Sequence, residues 1–323
     1  VSSKHEHVKI LHDILGDTAD IVVIDGSIES MLAEGRDADI LASNRASREF
    51  IEAAQKLKMI QTFSAGVEDI DQLAVQEHGD VILCNSHINA EEVAEYAIAL
   101  LLAVAKNIIL NDRELRNGNW VYAFGGPRPN IEIRHKNGLL IGLGNIGSEI
   151  AKRMQSFDVR LSAATRSGVS KQSHLVDTLL KIDQVQPLVE EADFVILALP
   201  LTSETEGLVG EKFLSWMKPS SIIINISRGP IIDENALFQA LKEHRIHGAG
   251  LDVWWRYPSK WGGKAEPPAD LPFQDLDNIV VSPHRAGYSE NTEREYFQFA
   301  AENILRFIQD QEPLNIVDPT RGY

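Results

Sequence analysis

Apolar residues fall along the chain in two rhythms. His7, Val8, Ile10, Leu11, Ile14 and Leu15 recur at helical spacing and predict an opening helix; after it, short runs that are apolar at nearly every position alternate with further helical stretches. In the first third the runs are residues 21–24, 38–42, 59–63 and 81–84, with helices expected over 27–35 and 47–57. Asn89, followed three residues later by Glu92, opens a long apolar helix through Val93, Ala97, Leu100, Leu101 and Val104, expected to reach about Arg116. A stretch rich in Gly and Pro (118–130) follows it. The runs then resume at 139–141, 159–164, 194–198, 222–226, 248–253 and 279–281, and the last helical pattern covers 293–309. Runs apolar on both faces and separated by helices are parallel strands covered on both sides. The pattern therefore predicts an α/β protein with two parallel sheets. The last helix has no place in a finished second sheet and is expected to return to the first domain.

The sharpest local signal is Leu139-Leu140-Ile141-Gly142-Leu143-Gly144-Asn145-Ile146-Gly147, with helical spacing from Ser148 to Phe157 after it. In a strand, turn and helix of this kind, Gly142 permits the tight turn, Gly144 lets the backbone approach phosphates, and Gly147 lets helix and strand pack closely. The helix N-terminus supplies unpaired N–H groups and the positive end of its dipole. The same letters occur in glycine-rich turns of other α/β proteins. The strand before, the helix after and the second strand at 159–164 favour dinucleotide binding.

Composition narrows the partners. At 323 residues, two domains of about 150 residues each are expected. A formal net charge of -16 argues against nucleic acid or an anionic membrane surface as partner. Cys84 is the single cysteine, which excludes an internal disulfide, fits a reducing, cytoplasmic setting and comes with no metal-ligand spacing. It reads as a buried structural thiol, and no metal is expected. The longest apolar stretch, 97–105, is too short to span a bilayer, and no signal-peptide pattern opens the chain. A leading strand could lie in residues 1–3.

Ligands of open parallel sheets bind beyond the C-terminal strand ends. Four such ends carry unusual polar residues: Ser64-Ala65-Gly66, Ser227-Arg228-Gly229, Asp252, and Ser282-Pro283-His284. A guanidinium, a carboxylate and an imidazole over a nicotinamide suit hydride exchange with a 2-keto acid. Arg228 would grip the substrate carboxylate, and His284 would give a proton to the carbonyl oxygen. Taken singly, Arg228 reads equally well as a surface ion pair, His284 as a core histidine and Asp252 as a cap; together, at successive strand ends, they favour the chemistry.

These motifs, in this order, resemble the D-isomer-specific 2-hydroxyacid dehydrogenases, the family of phosphoglycerate, glyoxylate/hydroxypyruvate and D-lactate dehydrogenases. Residues 63–71 (FSAGVEDID) resemble the family's substrate-carboxylate loop, 89–102 (NAEEVAEYAIALLL) its interdomain helix, and Gly142 to Gly147 its cofactor turn, with Asn145 and Ile146 inside it. Leu199-Pro200-Leu201-Thr202 with Thr205 is similar to its nucleotide-side loop, Asn225-Ile226-Ser227-Arg228-Gly229 to its arginine motif, and Ser282-Pro283-His284-Arg285-Ala286-Gly287 to its histidine motif. The resemblance implies two doubly wound parallel-sheet domains: a Rossmann nucleotide-binding domain (106–288) and a smaller flavodoxin-like substrate domain (1–105 and 289–323). They would close over a cleft, usually in a homodimer. It assigns Ser64, Ala65 and Gly66 to the substrate and leaves His87 either touching it or idle. To the cofactor it assigns the glycine turn, Leu199, Pro200, Thr205, Ile226, Ser227, Asp252, His284 and Ala286.

Two departures from the family pattern matter. The acidic residue that takes the ribose hydroxyls of NAD is replaced by Ala164-Thr165-Arg166-Ser167, so Thr165, Arg166 and Ser167 should favour the 2′-phosphate of NADP(H), with NAD as second choice. The glutamate that partners the family's histidine is also displaced. Counting from Asp252, its place falls to Tyr257, while Glu266-Pro267 repeats the glutamate-proline pair after an insertion. A neutral phenol orients an imidazole without stabilising its charged form, so the acid limb of ketone reduction is expected at lower pH. Trp254, Trp255 and Trp261 could wall a pocket or meet a second copy. The reading is an NADP-preferring 2-keto acid reductase acting on a glyoxylate- or hydroxypyruvate-like acid. The alternatives are a dinucleotide-sensing protein with weakened catalysis and, less favoured, a formate or phosphite enzyme.

Overall fold

The computed structural model describes residues 5–258 and 267–322; expectations falling on residues 1–3, on Trp261 and on Glu266 lie outside these. The chain forms two compact units, one of residues 1–89 and 288–323, the other of residues 90–287.

In the first unit, strands β1 (Ile40–Ala42), β2 (Met59–Gln61) and β3 (Ile82–Cys84) form a parallel sheet in that order. Phe50, Ile51, Ile60, Val75 and Leu83 close its core. The helix Thr292–Ile308 belongs here: Phe297 stacks on Phe63 at 4.5 Å and on His7 at 4.7 Å. Beneath it the buried Asn303 amide donates to Gln61 Oε1 at 2.6 Å and receives Leu314 N at 2.7 Å, so two buried amides satisfy each other and anchor the C-terminal segment. Burial pushes the Cys84 thiol up to about 12, so it stays protonated and inert.

Residues 21–24 are not the expected strand. Ile21 and Ile24 rest against the core, but Val22 and Val23 stand 64% and 49% exposed, and the described sheet ends at β1. An apolar run becomes a strand only where a neighbour completes its ladder. The helix Gln72–His78 was not expected; Asp71 caps it, and Gly79 at φ 80 stops it.

The second unit holds strands β4 (Asn137–Ile141), β5 (Arg160–Thr165), β6 (Thr178–Lys181), β7 (Phe194–Leu197), β8 (Ile222–Asn225), β9 (Gly248–Leu251) and β10 (Ile279–Val281) in one parallel sheet. The order is β10-β9-β8-β7-β4-β5-β6. Successive residues face opposite layers. Leu139, Ile141, Val195, Leu197 and Ile223 join one core, and Leu140, Phe194, Ile196, Ile222 and Ile224 the other. Burial on both faces is why these strands are apolar throughout. Strand β6 went unforeseen because this edge strand has only two apolar residues between polar ends.

The long helix is two helices, Ala90–Ala105 and Ile108–Arg116, bent by 60°. Asn107 at φ 51 ends the first, in the left-handed region that asparagine tolerates better than most residues. Among the described residues no single helix is long and apolar enough to cross a membrane. The compact units divide at 89/90 and 287/288, not at the expected 105/106 and 288/289. The helix Ala90–Ala105 packs in the second unit because Gly250 on β9 has no side chain: a Cβ there would lie 3.0 Å from Leu100 Cβ.

Candidate active site

The sheet reverses its order between β4 and β7, and the loops beyond those two strands carry the glycine turn and Ala198-Leu199-Pro200. Gly142 has φ 102, donates its N–H to Ala164 O at 2.8 Å, and leaves no room for a Cβ, which would sit 2.1 Å from Ala198 O. A Cβ at Gly147 would lie 2.3 Å from Gly142 O. Protein packing therefore requires both. Gly144 differs: its φ is -89 and nothing lies within 4 Å of where a Cβ would be. The open space borders the N-terminus of the helix Asn145–Met154, where Gly144 and Asn145 are exposed and Ile146 half-buried. A backbone cradle that a side chain would fill, at a helix start, fits a pyrophosphate.

Beside it, Thr165, Arg166 and Ser167 end β5. Ser170 Oγ donates to Leu143 O at 3.0 Å and binds this loop to the glycine turn. The Thr165 and Ser167 hydroxyls both turn onto Val169 O at 3.4 Å, while Arg166 is exposed. The nucleotide-side loop is braced from within. Thr205 Oγ1 donates to Pro200 O at 2.7 Å and accepts Thr202 N at 2.8 Å, and Ser227 Oγ joins Leu197 O and Leu199 N across from the next strand.

Arg228, Asp252 and His284 follow β8, β9 and β10, three adjacent parallel strands paired Asn225↔Leu251 and Leu251↔Val281, so all three leave the sheet at one edge. Asn225, buried, shapes the arginine turn by accepting Ser227 N (3.0 Å) and donating to Arg228 O (2.9 Å). The half-buried Arg228 guanidinium donates to Ser227 O at 2.7 Å. Asp252 is 1% exposed, and its carboxylate accepts Ser282 Oγ, Arg285 N at 2.7 Å and Ala286 N at 2.8 Å; its carbonyl accepts His284 N at 2.8 Å. His284 itself has φ 55, uncommon for a non-glycine residue, and these bonds on either side hold it there. Tyr257 lies against it, ring centroids 5.3 Å apart at 50°, and its hydroxyl accepts Trp254 N at 3.2 Å.

Trp254 and Trp255 neither wall an open pocket nor face outward as a pair; both pack on Phe273 inside the unit, at 6.4 and 5.2 Å. Ser282 and Trp254 are parts of the histidine loop's support that the motifs did not single out as such. Their roles come from partners about thirty positions away, which no local spacing announces.

The other candidates sit in the first unit. Ser64 O accepts Ser86 N (3.0 Å) and Thr62 Oγ1 (2.9 Å), Ala65 O accepts Asn85 Nδ2 (2.8 Å), and Gly66 O accepts Ser64 Oγ (2.8 Å), so the loop's carbonyls are engaged internally. Burial lowers the pKa of the nearby His87 imidazole below the ordinary histidine range, favouring its neutral form. Among the described residues no group of three or more His, Cys, Asp or Glu is arranged to hold a metal ion. A cavity of about 460 Å³ opens in the second unit among Asn107, Arg128, His247 and Asn278. It lies at the N-terminal strand ends, the edge opposite the glycine turn, and so is separate from this site.

A parallel sheet whose order reverses beside a glycine cradle, with a helix N-terminus aimed there, defines a dinucleotide-binding unit. Residues 98–286 match the family described as D-isomer specific 2-hydroxyacid dehydrogenase, NAD binding domain. The chain is 32% identical over 287 residues to a glyoxylate reductase of Korarchaeum cryptofilum, covering 88% of this chain and 83% of the relative. Among solved structures it is similar to an acyclic imino acid reductase in complex with NADPH and D-Arg, at 28% identity and TM-score 0.81, covering 95% of each chain. It is similar too to an NADPH-dependent glyoxylate/hydroxypyruvate reductase of Sinorhizobium meliloti in complex with NADP and malonate, at 28% identity and TM-score 0.74, covering 90% of this chain and 87% of that one. The protein belongs to the D-isomer specific 2-hydroxyacid dehydrogenases and is a nicotinamide-dinucleotide-dependent enzyme.

Proposed function

We propose that the protein reduces a glyoxylate- or hydroxypyruvate-like 2-keto acid and prefers NADPH to NADH. The observation that carries the reductase reading is the departure of Arg228, Asp252 and His284 from three adjacent strands on the glycine-turn edge of the sheet. The second unit is then the nucleotide-binding domain. Gly142 to Gly147, Leu199, Pro200, Thr205, Ile226, Ser227, Asp252 and Ala286 surround the cofactor. The first is the substrate domain, where the N–H groups of Ser64, Ala65 and Gly66, with neutral His87 nearby, receive the acid. Bound NADPH supplies the hydride. Arg228 holds the carboxylate through paired donors and polarises the ketone. His284 gives its proton to the carbonyl oxygen and takes it back in the reverse direction, while the Tyr257 ring orients the imidazole.

The test is a panel of 2-keto acids followed by loss of NADPH and, separately, NADH absorbance. Turnover of glyoxylate or hydroxypyruvate with NADPH ahead of NADH is the expected result. Tight NADPH binding without turnover of any member would instead favour the dinucleotide-sensor reading.

Cofactor preference rests on Arg166, the guanidinium at the end of β5 where an acid would repel a 2′-phosphate. Arg166→Ala should raise KM for NADPH by about one to two orders of magnitude, the worth of a charge-assisted phosphate contact, with KM for NADH changed less than about twofold. Equal effects on both cofactors would remove the argument.

The helix Ile108–Arg116 and the segment after it expose Ile108, Ile109, Leu115, Trp120, Val121 and Phe124. So many large apolar side chains over so short a stretch suit a second copy of the chain. Light scattering on the eluting protein should give the mass of a dimer, and Trp120→Asp with Phe124→Asp should shift it toward the monomer.

A further inference from the structure

We infer that Trp254 is a positioning residue for the reaction, coupling the placement of Arg228 to that of His284. This rests on His284 as the proton donor. Trp254 touches all three supports of the proposed chemistry. Its indole N–H donates to Ser282 O at 2.9 Å, two residues before His284, and its backbone N–H donates to the Tyr257 hydroxyl at 3.2 Å. Its carbonyl group presses on the arginine turn: a Cβ on Gly229 would fall 2.2 Å from Trp254 C and 2.3 Å from its O. The backbone of Trp254 therefore lies close against the residue next to Arg228, and its side chain cannot shift without releasing the carbonyl of Ser282.

The ring is fixed from the other side. It is 7% exposed and meets Trp255 and Phe273 edge-on, each at 6.4 Å. Asp252 already binds the N–H groups of Arg285 and Ala286 after His284 and the Ser282 hydroxyl before it, but not the Ser282 carbonyl. The Trp254 indole takes the main-chain carbonyl on the N-terminal side. His284 at φ 55 is thus clamped between two anchors, and a left-handed residue needs such determination from its surroundings. Phenylalanine in place of Trp254 keeps a buried ring and loses the indole donor.

Trp255 provides the matched control. Its indole N–H donates to Ile232 O at 2.8 Å and its ring stacks on the same Phe273, but neither contact reaches the histidine loop.

The experiment compares Trp254→Phe, Trp255→Phe and His284→Asn by steady-state kinetics in H₂O and D₂O. Cofactor binding is followed by calorimetry. Trp254→Phe should lower kcat about tenfold to a hundredfold, the range for a misplaced reacting group. KM for the keto acid and Kd for NADPH should stay within about twofold, because phenylalanine leaves the backbone contact with Gly229 and the glycine turn in place and removes only the indole donor to Ser282. The solvent isotope effect on kcat should rise as proton transfer becomes slower. Trp255→Phe, with a similar loss of thermal stability, should keep wild-type kcat. Wild-type kcat and isotope effect in Trp254→Phe, with His284→Asn inactive, would overturn the positioning role alone. Equal kcat losses in the two tryptophan variants would overturn it as well, marking a merely structural effect. An active His284→Asn would instead overturn the assignment of the proton donor on which it stands.

Discussion

His284→Asn should lower kcat for 2-keto acid reduction by about 10²- to 10⁴-fold, the usual contribution of a positioned general acid. Asparagine is a demanding choice because it removes the titratable imidazole, with its ring contact to Tyr257, while keeping a polar side chain and the backbone conformation. It tolerates the left-handed conformation that His284 holds at φ 55, so the turn does not need to rearrange. The bonds from His284 N, Arg285 N and Ala286 N to Asp252 involve only backbone donors and survive the change. Arg228, one strand removed from Asp252 and two from His284, still has its turn braced by Asn225. KM for the keto acid and Kd for NADPH should therefore move little, and the loss should fall on kcat. The limb of the kcat/KM pH profile due to the imidazole should vanish with it. An Asn variant at full speed would mean that the proton comes from elsewhere.

Gly142→Ala should abolish measurable NADPH binding and cost about 4 kcal/mol or more of stability, in the range of exceptional single substitutions. Two penalties act at once. The residue sits at φ 102, where an L side chain is strained, and its new Cβ would lie 2.1 Å from Ala198 O. That carbonyl cannot retreat, because Ala198 N is bonded to Ile141 O and β7 is held between β4 and β8. Gly144→Ala is the instructive partner. Its φ of -89 suits alanine and nothing lies within 4 Å of the new methyl, so the protein without ligand should melt at the wild-type temperature. NADPH should nevertheless bind at least about tenfold more weakly, because the methyl enters the space meant for the phosphates. Calorimetric binding and thermal unfolding of both variants separate the two effects. Wild-type NADPH affinity in Gly144→Ala would place the pyrophosphate somewhere else.

Most of the architecture was legible because burial on both faces leaves a local trace. Leu139 and Ile141 face one core and Leu140 the other, and the unbroken apolar run follows from that alone. Residues 21–24 carry the same trace and are not a strand, since their pairing depends on a neighbour rather than on their own composition. The helix Ala90–Ala105 shows the same limit for domains. Its apolar stripe predicts a buried helix, but what it lies against was decided by Gly250, about 150 residues further on.

The chemistry divides in the same way. The amino-acid sequence alone determined which groups are available: the glycine turn, a guanidinium after one buried strand, an imidazole after another, and an arginine where an acid would select NAD. Only the tertiary structure decided that β8, β9 and β10 are neighbours, that packing requires Gly142 and Gly147 but leaves Gly144 open, and that Asp252 and Trp254 both hold the histidine loop. The physical reason is range. Turn chemistry and amphipathic periodicity act between residues a few positions apart and can be read along the chain. Hydrogen bonds such as that from Trp254 to Ser282 O exist only once distant strands have been laid side by side.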